Sequence, residues 1–361
     1  MRQKPPVTRR TLYTVTPNPA LDVSGAVKNL TPNEKNTVYD ERRDPGGNGI
    51  NASRIAHRLG TATLALGFIG GASGEELLRA LDQEQVPHAF DPISGSTRIN
   101  ITVSDCHTHS QTRLSFAGPS VNAHEQKSLL HRMTQLPSKS LLLLGGSLPP
   151  GTPPHFHAKL AALAQKTGVG ILLDVPSRTL QKSLERRAKQ KLFPLLVKPN
   201  ETELAQWWTK QRRSQFKSET ELLKAGYALA KRASLVCVSR GATGVIVFYK
   251  DQAWRYQAPP LQARGTVGAG DSFLGGLASG LLSSGLTSTP SVDLLFSKTP
   301  RGQIPAALHE AILLGMSCGA ATAAEKGTSL AKPARIRKLL KVTRRLNRSP
   351  LAFECSGAGH H

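Results

Sequence analysis

Acidic residues are scarce in this chain: 24 Asp and Glu stand against 47 Lys and Arg in 361 residues, a formal charge of +23. Aromatic residues are few as well, at 5%, so no base-stacking signature of an RNA-binding module is visible, and no C2H2 spacing occurs. The four cysteines, Cys106, Cys237, Cys318 and Cys355, include no C-x-x-C pair, which excludes a local zinc motif and a dense disulfide framework. Cys237 and Cys318 lie in apolar segments and are expected to be buried thiols, whereas Cys355 falls in a loose tail. No apolar run approaches the ~18 to 20 residues that span a bilayer, the longest conspicuous one being Leu141 to Leu144. Met1 to Arg10 lacks the apolar stretch of a secretory signal, so the protein is expected in the cytoplasm. Internal repeats are absent, and Gly359-His360-His361 is too short to specify a metal site.

What is present is 39% apolar content, enough for a sizeable core, arranged as strand-like runs alternating with helical ones. Strands are expected at 62–69, 140–145, 170–174, 195–198, 235–239 and 244–249, and helices at 75–84, 158–167, 201–208, 220–232 and 306–325. That alternation predicts an α/β fold, a mostly parallel sheet covered on both faces, with ligands outside the carboxyl ends of the strands. Two stretches depart from it, 21–44 and 96–116. In the second, Ile99, Ile101 and Val103 alternate with Arg98, Asn100 and Thr102, as half-buried antiparallel strands do. Thr287 to Pro305, rich in Ser, Thr and Pro, reads as an insertion between helices. Residues 1–10 and 349–361 read as disordered tails around a single domain of 11–348.

Chemistry concentrates where glycines deliver the chain to a helix start. Gly265-Thr266-Val267-Gly268-Ala269-Gly270-Asp271-Ser272 precedes an apolar helical run. Gly268 and Gly270 permit close approach of backbone N–H groups to an anion, the helix start adds its positive dipole end, and Asp271 can accept a proton. A plain loop-to-helix turn with an acidic cap has the same residues. Near the N-terminus, Pro45-Gly46-Gly47-Asn48-Gly49-Ile50-Asn51 opens a second helix, and its Asn48 and Asn51 amides suit sugar hydroxyls. Neither loop has the spacing of the dinucleotide fingerprint or of the Walker loop.

Together the two loops resemble the two signatures of the ribokinase-like, PfkB-type carbohydrate kinases, and the likeness extends along nearly the whole chain. Thr16-Pro17-Asn18-Pro19-Ala20-Leu21-Asp22, Gly146-Ser147-Leu148-Pro149-Pro150-Gly151, Val197-Lys198-Pro199-Asn200-Glu201-Thr202-Glu203-Leu204, Ser239-Arg240-Gly241-Ala242-Thr243-Gly244 and Lys326-Gly327-Thr328 occur in that family's order. The resemblance implies a central sheet with a small β lid formed by the two aberrant stretches, and a homodimer through that lid. It implies ATP and Mg²⁺ as cofactors. Asp271 becomes the general base, with Gly268, Ala269 and Gly270 around the transferring phosphoryl group. Asp22, Gly47, Asn48, Asn51 and Ser147 face the sugar, while Lys198, Ser239, Gly241, Thr266, Gly268, Gly270 and Gly327 line the nucleotide side. Asn200 and Glu203 hold Mg²⁺ through water, although Asn-x-x-Glu is equally an ordinary capping pair.

Within the family the likeness is to the phosphosugar branch. Arg98 and Lys35, with Arg113 as a third cation, take the place of ligands for a phosphate already on the sugar. Relatives acting on fructose 1-phosphate or tagatose 6-phosphate often have Gly-Lys-Gly where this chain has Gly47-Asn48-Gly49. The departure implies fructose 6-phosphate, converted to the 1,6-bisphosphate, with fructose 1-phosphate or tagatose 6-phosphate as the alternative substrate. The charge excess fits less readily. It concentrates in Lys210 to Lys217 and in Lys332 to Arg348, where Ile336, Leu339, Leu340 and Leu346 recur at helical spacing. The second stretch reads either as a final helix packed by its apolar side or as a surface for nucleic acid or an anionic membrane. The latter defines an alternative of another class, a polyanion-binding protein on a kinase scaffold with reduced catalysis.

Overall fold

The computed structural model describes residues 10–185 and 193–354. Cys355, Gly359-His360-His361 and most of the N-terminal tail lie outside the described residues. The strands are β1 (Leu12–Thr16), β2 (Ala20–Val27), β3 (Tyr39–Gly46), β4 (Thr63–Ile69), β5 (Asp91–Pro92), β6 (Arg98–Asp105), β7 (Ser110–Leu114), β8 (Leu141–Gly145), β9 (Gly170–Asp174), β10 (Leu196–Val197), β11 (Leu235–Ser239), β12 (Val245–Tyr249), β13 (Gln252–Tyr256) and β14 (Leu351–Glu354). The helices are α1 (Asn48–Arg58), α2 (Gly71–Gln83), α3 (Glu125–Met133), α4 (Phe156–Gln165), α5 (Ser177–Glu185), α6 (Glu201–Thr209), α7 (Glu219–Ala230), α8 (Ala269–Ser283), α9 (Thr289–Ser297), α10 (Ala306–Ala323) and α11 (Pro333–Leu346).

Ten strands form one sheet in the order β14-β13-β12-β11-β10-β9-β8-β1-β4-β5, parallel from β11 to β5 and antiparallel beyond β11. The parallel strands read as unbroken apolar runs, Leu141 to Leu144 being fully buried, because helices cover both faces. Leu129, Phe156, Leu180, Leu204 and Leu222 from α3 to α7 pack on one face. Ala52 of α1, Phe273 and Leu277 of α8, Phe296 of α9 and Leu308 of α10 pack on the other.

Three expectations need correction here. Thr287 to Pro305 is no plain insertion: Ser288 caps α9 in a reciprocal box with Ser291, Val292 and Phe296 are buried, and Phe296 stacks on Tyr249 at 3.7 Å. The polar composition belongs to the cap, and two apolar residues one turn apart suffice to dock a short helix. The C-terminal tail likewise supplies an edge strand, β14, on β13. Finally, α10 is long and apolar enough to cross a membrane, with mean hydropathy 1.2, yet 61% of it is buried inside the chain's own core. Its Gly, Ser, Thr and Ala residues interrupt any conspicuous apolar run while still permitting close helix packing.

The second sheet, β3-β2-β6-β7, occupies the two aberrant stretches. Its central pair, β2 and β6, is parallel, with only the outer pairs antiparallel, so the expected antiparallel arrangement holds for the flanks alone. The register aligns Asp22 with Asn100 and Ser24 with Thr102, and these polar residues are the buried ones. Ile99, Ile101 and Val103 are only half-buried on the opposite face. The polar side therefore faces the main sheet, against the usual sense of alternation, which marks a lined cleft beneath it.

Candidate active site

The cleft lies where β1, β8, β9, β10 and β11 end and the four-stranded sheet overhangs them. Local packing fixes its floor. Gly275 of α8 lies against Ala52 O of α1, where a Cβ would stand 2.6 Å from the carbonyl oxygen. That closeness brings the two helix starts together, and Asn51 Nδ2 donates to Asp271 Oδ2 at 2.9 Å. Gly268, the α8 N-cap, has φ +74°, a left-handed conformation that L side chains rarely adopt. The turn is closed by Ala269 N–H, which donates to Thr266 O at 3.3 Å. The Ala269 amide thus has a partner inside the protein in this conformation.

Charge explains the chemistry available to Asp271. Burial, with the nearby Asp174 carboxylate adding to it, raises its pKa to about 7, while the Asn51 hydrogen bond and Lys198 pull the other way. A carboxylate poised near neutrality suits a general base. Lys198 Nζ is 3.0 Å from Asp174 Oδ1, and both side chains are almost wholly buried. Burial depresses the lysine, but Asp174, Glu203 and Asp271 outweigh it and hold its pKa above the ordinary value. Asn48 Nδ2 donates to the other oxygen of Asp174 at 3.2 Å. Asp174 thus ties together two expected site residues, and it was absent from the sequence-derived set. Its position at the end of an apolar strand, Ile171-Leu172-Leu173-Asp174, was the available signal.

Under the overhanging sheet, Asn100 Nδ2 donates to Asp22 Oδ1 at 2.8 Å. Burial raises the Asp22 pKa against that bond and against Arg113 and Arg98. Gly46 makes room for this carboxylate, since a Cβ there would lie 2.2 Å from Asp22 Oδ2. Arg98 spends both terminal nitrogens on backbone carbonyls, Phe116 O at 2.8 Å and Asn18 O at 2.9 Å. Its charge forms no direct ion pair with a carboxylate among the described residues. Arg98 and Ser147 line a cavity of about 610 Å³ together with Thr152, Arg178 and Lys182, and none of the described residues lining it is acidic. Arg178 and Lys182, one turn apart on α5, were not anticipated. Lys35 stands exposed between β2 and β3 and forms no hydrogen bond or ion pair with Asp22.

On the nucleotide side, Asn200 and Glu203 form the reciprocal capping box of α6: Asn200 N donates to Glu203 Oε2 and Glu203 N to Asn200 Oδ1, both at 2.8 Å. The ordinary capping reading is therefore realised. Burial and Asp174 raise the Glu203 pKa. Ser239 ends β11 and donates through its N–H to Pro199 O at 3.1 Å, and Gly241 begins the following short 3-10 turn. Gly327, with φ +61°, lies beside the loop preceding α8, its carbonyl 3.2 Å from where a Gly265 Cβ would be. Next to it, Thr328 Oγ1 donates to Asp44 Oδ2 of the overhanging sheet at 2.7 Å. The described residues contain no group of three or more His, Cys, Asp or Glu able to hold a metal ion.

Comparison with known proteins agrees with this geometry. A 1-phosphofructokinase of Bacillus subtilis (strain 168) is 30% identical over 313 residues, covering 86% of this chain and 92% of that protein. Phosphofructokinase-2 from Escherichia coli in complex with potassium superposes with a TM-score of 0.80 at 27% identity, covering 92% and 98% of the two chains. The same enzyme in complex with fructose-6-phosphate gives 0.79 at 26%, covering 93% and 100%. Residues 19–335 match the description of the pfkB family of carbohydrate kinases, and this chain belongs to that family.

Proposed function

We propose that the protein transfers the terminal phosphoryl group of ATP to fructose 6-phosphate. One combination carries this reading: a carboxylate with pKa raised to about 7 stands at a helix start, and Arg98 and Ser147 share a cavity with Arg178 and Lys182 whose described lining residues include no acid. Asp271 accepts the proton of the attacked hydroxyl. The amides at the start of α8, with its dipole, stabilise charge on the moving group. Asp22, Asn51 and Ser147 orient the sugar, and Arg98, with Arg113 and Lys35, takes the phosphate already present. A substrate monoanion or dianion supplies the partner that Arg98 lacks.

Lys198 reaches the nucleotide side, with Ser239, Gly241, Thr266 and Gly327 around it. Mg²⁺, when bound with ATP, neutralises charge on the donor phosphates. Glu203 and Asn200 fit a water-mediated role there, since Mg²⁺ keeps several waters and needs few protein ligands. The B. subtilis relative favours fructose 1-phosphate as the second reading.

The decisive assay is ADP release with fructose 6-phosphate, fructose 1-phosphate, tagatose 6-phosphate and unphosphorylated fructose. Arg98→Ala is expected to raise KM for the preferred phosphosugar ~10- to 100-fold, the scale of one charge-assisted hydrogen-bonding group, while leaving KM for ATP unchanged. A wild-type preference for neutral fructose would remove the assigned roles of Arg98 and Lys35.

We also infer a homodimer through the outer face of the overhanging sheet, where Ile99, Ile101 and Val103 are half-buried and Leu114 is 53% exposed. A monomer mass by light scattering at micromolar concentration excludes it. Membership of a family of metabolic kinases supports a cytoplasmic location.

A further inference from the structure

We propose that α11 presents a binding face for the phosphate backbone of nucleic acid, separate from the catalytic cleft. From Lys332 to Arg348 the chain carries eight Lys and Arg and no acid. Two of these cations are neutralised locally: Arg335 pairs with Glu325 at 3.0 Å and Arg344 with Glu310 at 2.7 Å. Arg337, Lys338, Lys341, Arg345 and Arg348 are exposed and take no ion pair among the described residues.

Helical geometry gathers them. At roughly 100° per residue, Arg337, Lys338, Lys341 and Arg345 fall within about one 100° sector, and they span ~12 Å of axis. The buried Ile336, Thr343 and Asn347, 1%, 0% and 2% exposed, define the opposite side. The stripe therefore points straight away from the core. One strand of duplex DNA presents a phosphate about every 3.4 Å of axis, so a stripe of this length meets roughly three to four of them.

The apolar side of α11 favours this partner over a membrane. An interfacial helix must bury its apolar face among lipid tails, but here Ile336, Leu339 and Leu340 already pack on the protein core. With no aromatic residue on α11, there is no stacking platform, so recognition is by backbone charge and independent of base sequence.

The test is fluorescence anisotropy of a labelled 20-base-pair DNA duplex against salt. Wild-type protein is expected to bind at 50 mM salt, with log K falling against log salt at a slope of about −3 to −4, the release expected from roughly three to four contacts. The R337E/K338E/K341E/R345E variant is expected to lose at least 10-fold in affinity while ADP release from sugar phosphate stays at the wild-type rate. The milder K338Q/K341Q pair should reduce the slope by about 2, which reads out the stripe even if the quadruple variant folds poorly. Three outcomes overturn the proposal: no binding at 50 mM salt, equal affinity for vesicles of anionic lipid, or loss of binding on reversal of Arg212 and Arg213 but not of the α11 cations.

Discussion

Asp271→Asn is expected to lower kcat by about 10³-fold, within the range that a positioned general base contributes, while ATP binding measured by calorimetry stays within threefold of wild type. The substitution is nearly isosteric and leaves an oxygen to accept from Asn51 Nδ2, so the floor of the cleft keeps its shape. What disappears is the ability to take the proton of the attacked hydroxyl. Near-normal turnover in this variant would mean that another group, or solvent, receives that proton.

The pH dependence follows from the same carboxylate. Burial and Asp174 raise its pKa to about 7, so the wild-type rate should climb between pH 6 and 8 as the base becomes ionised. Stability runs in the opposite direction. Between the ordinary carboxylate value near 4 and the raised value, the folded chain binds a proton that the unfolded chain has lost, and stability falls as pH rises through that interval. Asp271→Asn removes this dependence. At pH 8 the variant should melt ~2–4 °C above wild type, with the gap narrowing towards pH 4. A less active variant that is also more stable at pH 8 identifies the cost as that of a charge held ready for chemistry. A variant destabilised at every pH would instead give Asp271 a structural role.

Much of this site was legible because glycine and proline mark backbone rather than side-chain requirements. Gly268 needs a left-handed conformation and Gly46, at the end of β3, a missing Cβ, and both belong to glycine-rich segments that lead into a helix start. The parallel strands were equally plain, since burial on both faces makes them continuously apolar. Harder to see was anything set by long-range pairing. The parallel alignment of β2 with β6 depends on a crossover that no local pattern records, and period-two alternation predicts a buried apolar side where the protein buries the polar one. Asp174 was hidden for a related reason: one acid at a strand end has no motif, and its meaning comes from Lys198 and Asn48, 24 residues after it and 126 before it. Asn200 and Glu203 illustrate the converse. Their spacing specified a helix cap, the cap formed, and any part in holding a metal must coexist with it.

That buried pairing supports the second large effect. Asp174→Ala is expected to destabilise the protein by about 3–5 kcal/mol, the scale seen when one member of a buried ion pair is removed, and to reduce kcat by about 10²-fold. The alanine leaves Lys198, 5% exposed, without its nearest counter-charge and releases Asn48 from the bond that orients it. Asp174→Asn keeps the shape and can still accept from Asn48, so its loss should be smaller. Because Asp174 also helps raise the Asp271 pKa, both variants should move the acid limb of the rate profile to lower pH. A Lys198→Met/Asp174→Leu double variant separates the two roles: removing both charges should recover most of the lost stability without recovering turnover. If Asp174→Ala melts within a degree of wild type, Glu203 and Asp271 are neutralising Lys198 by themselves, and the pair with Asp174 is not what holds the lysine at the cleft.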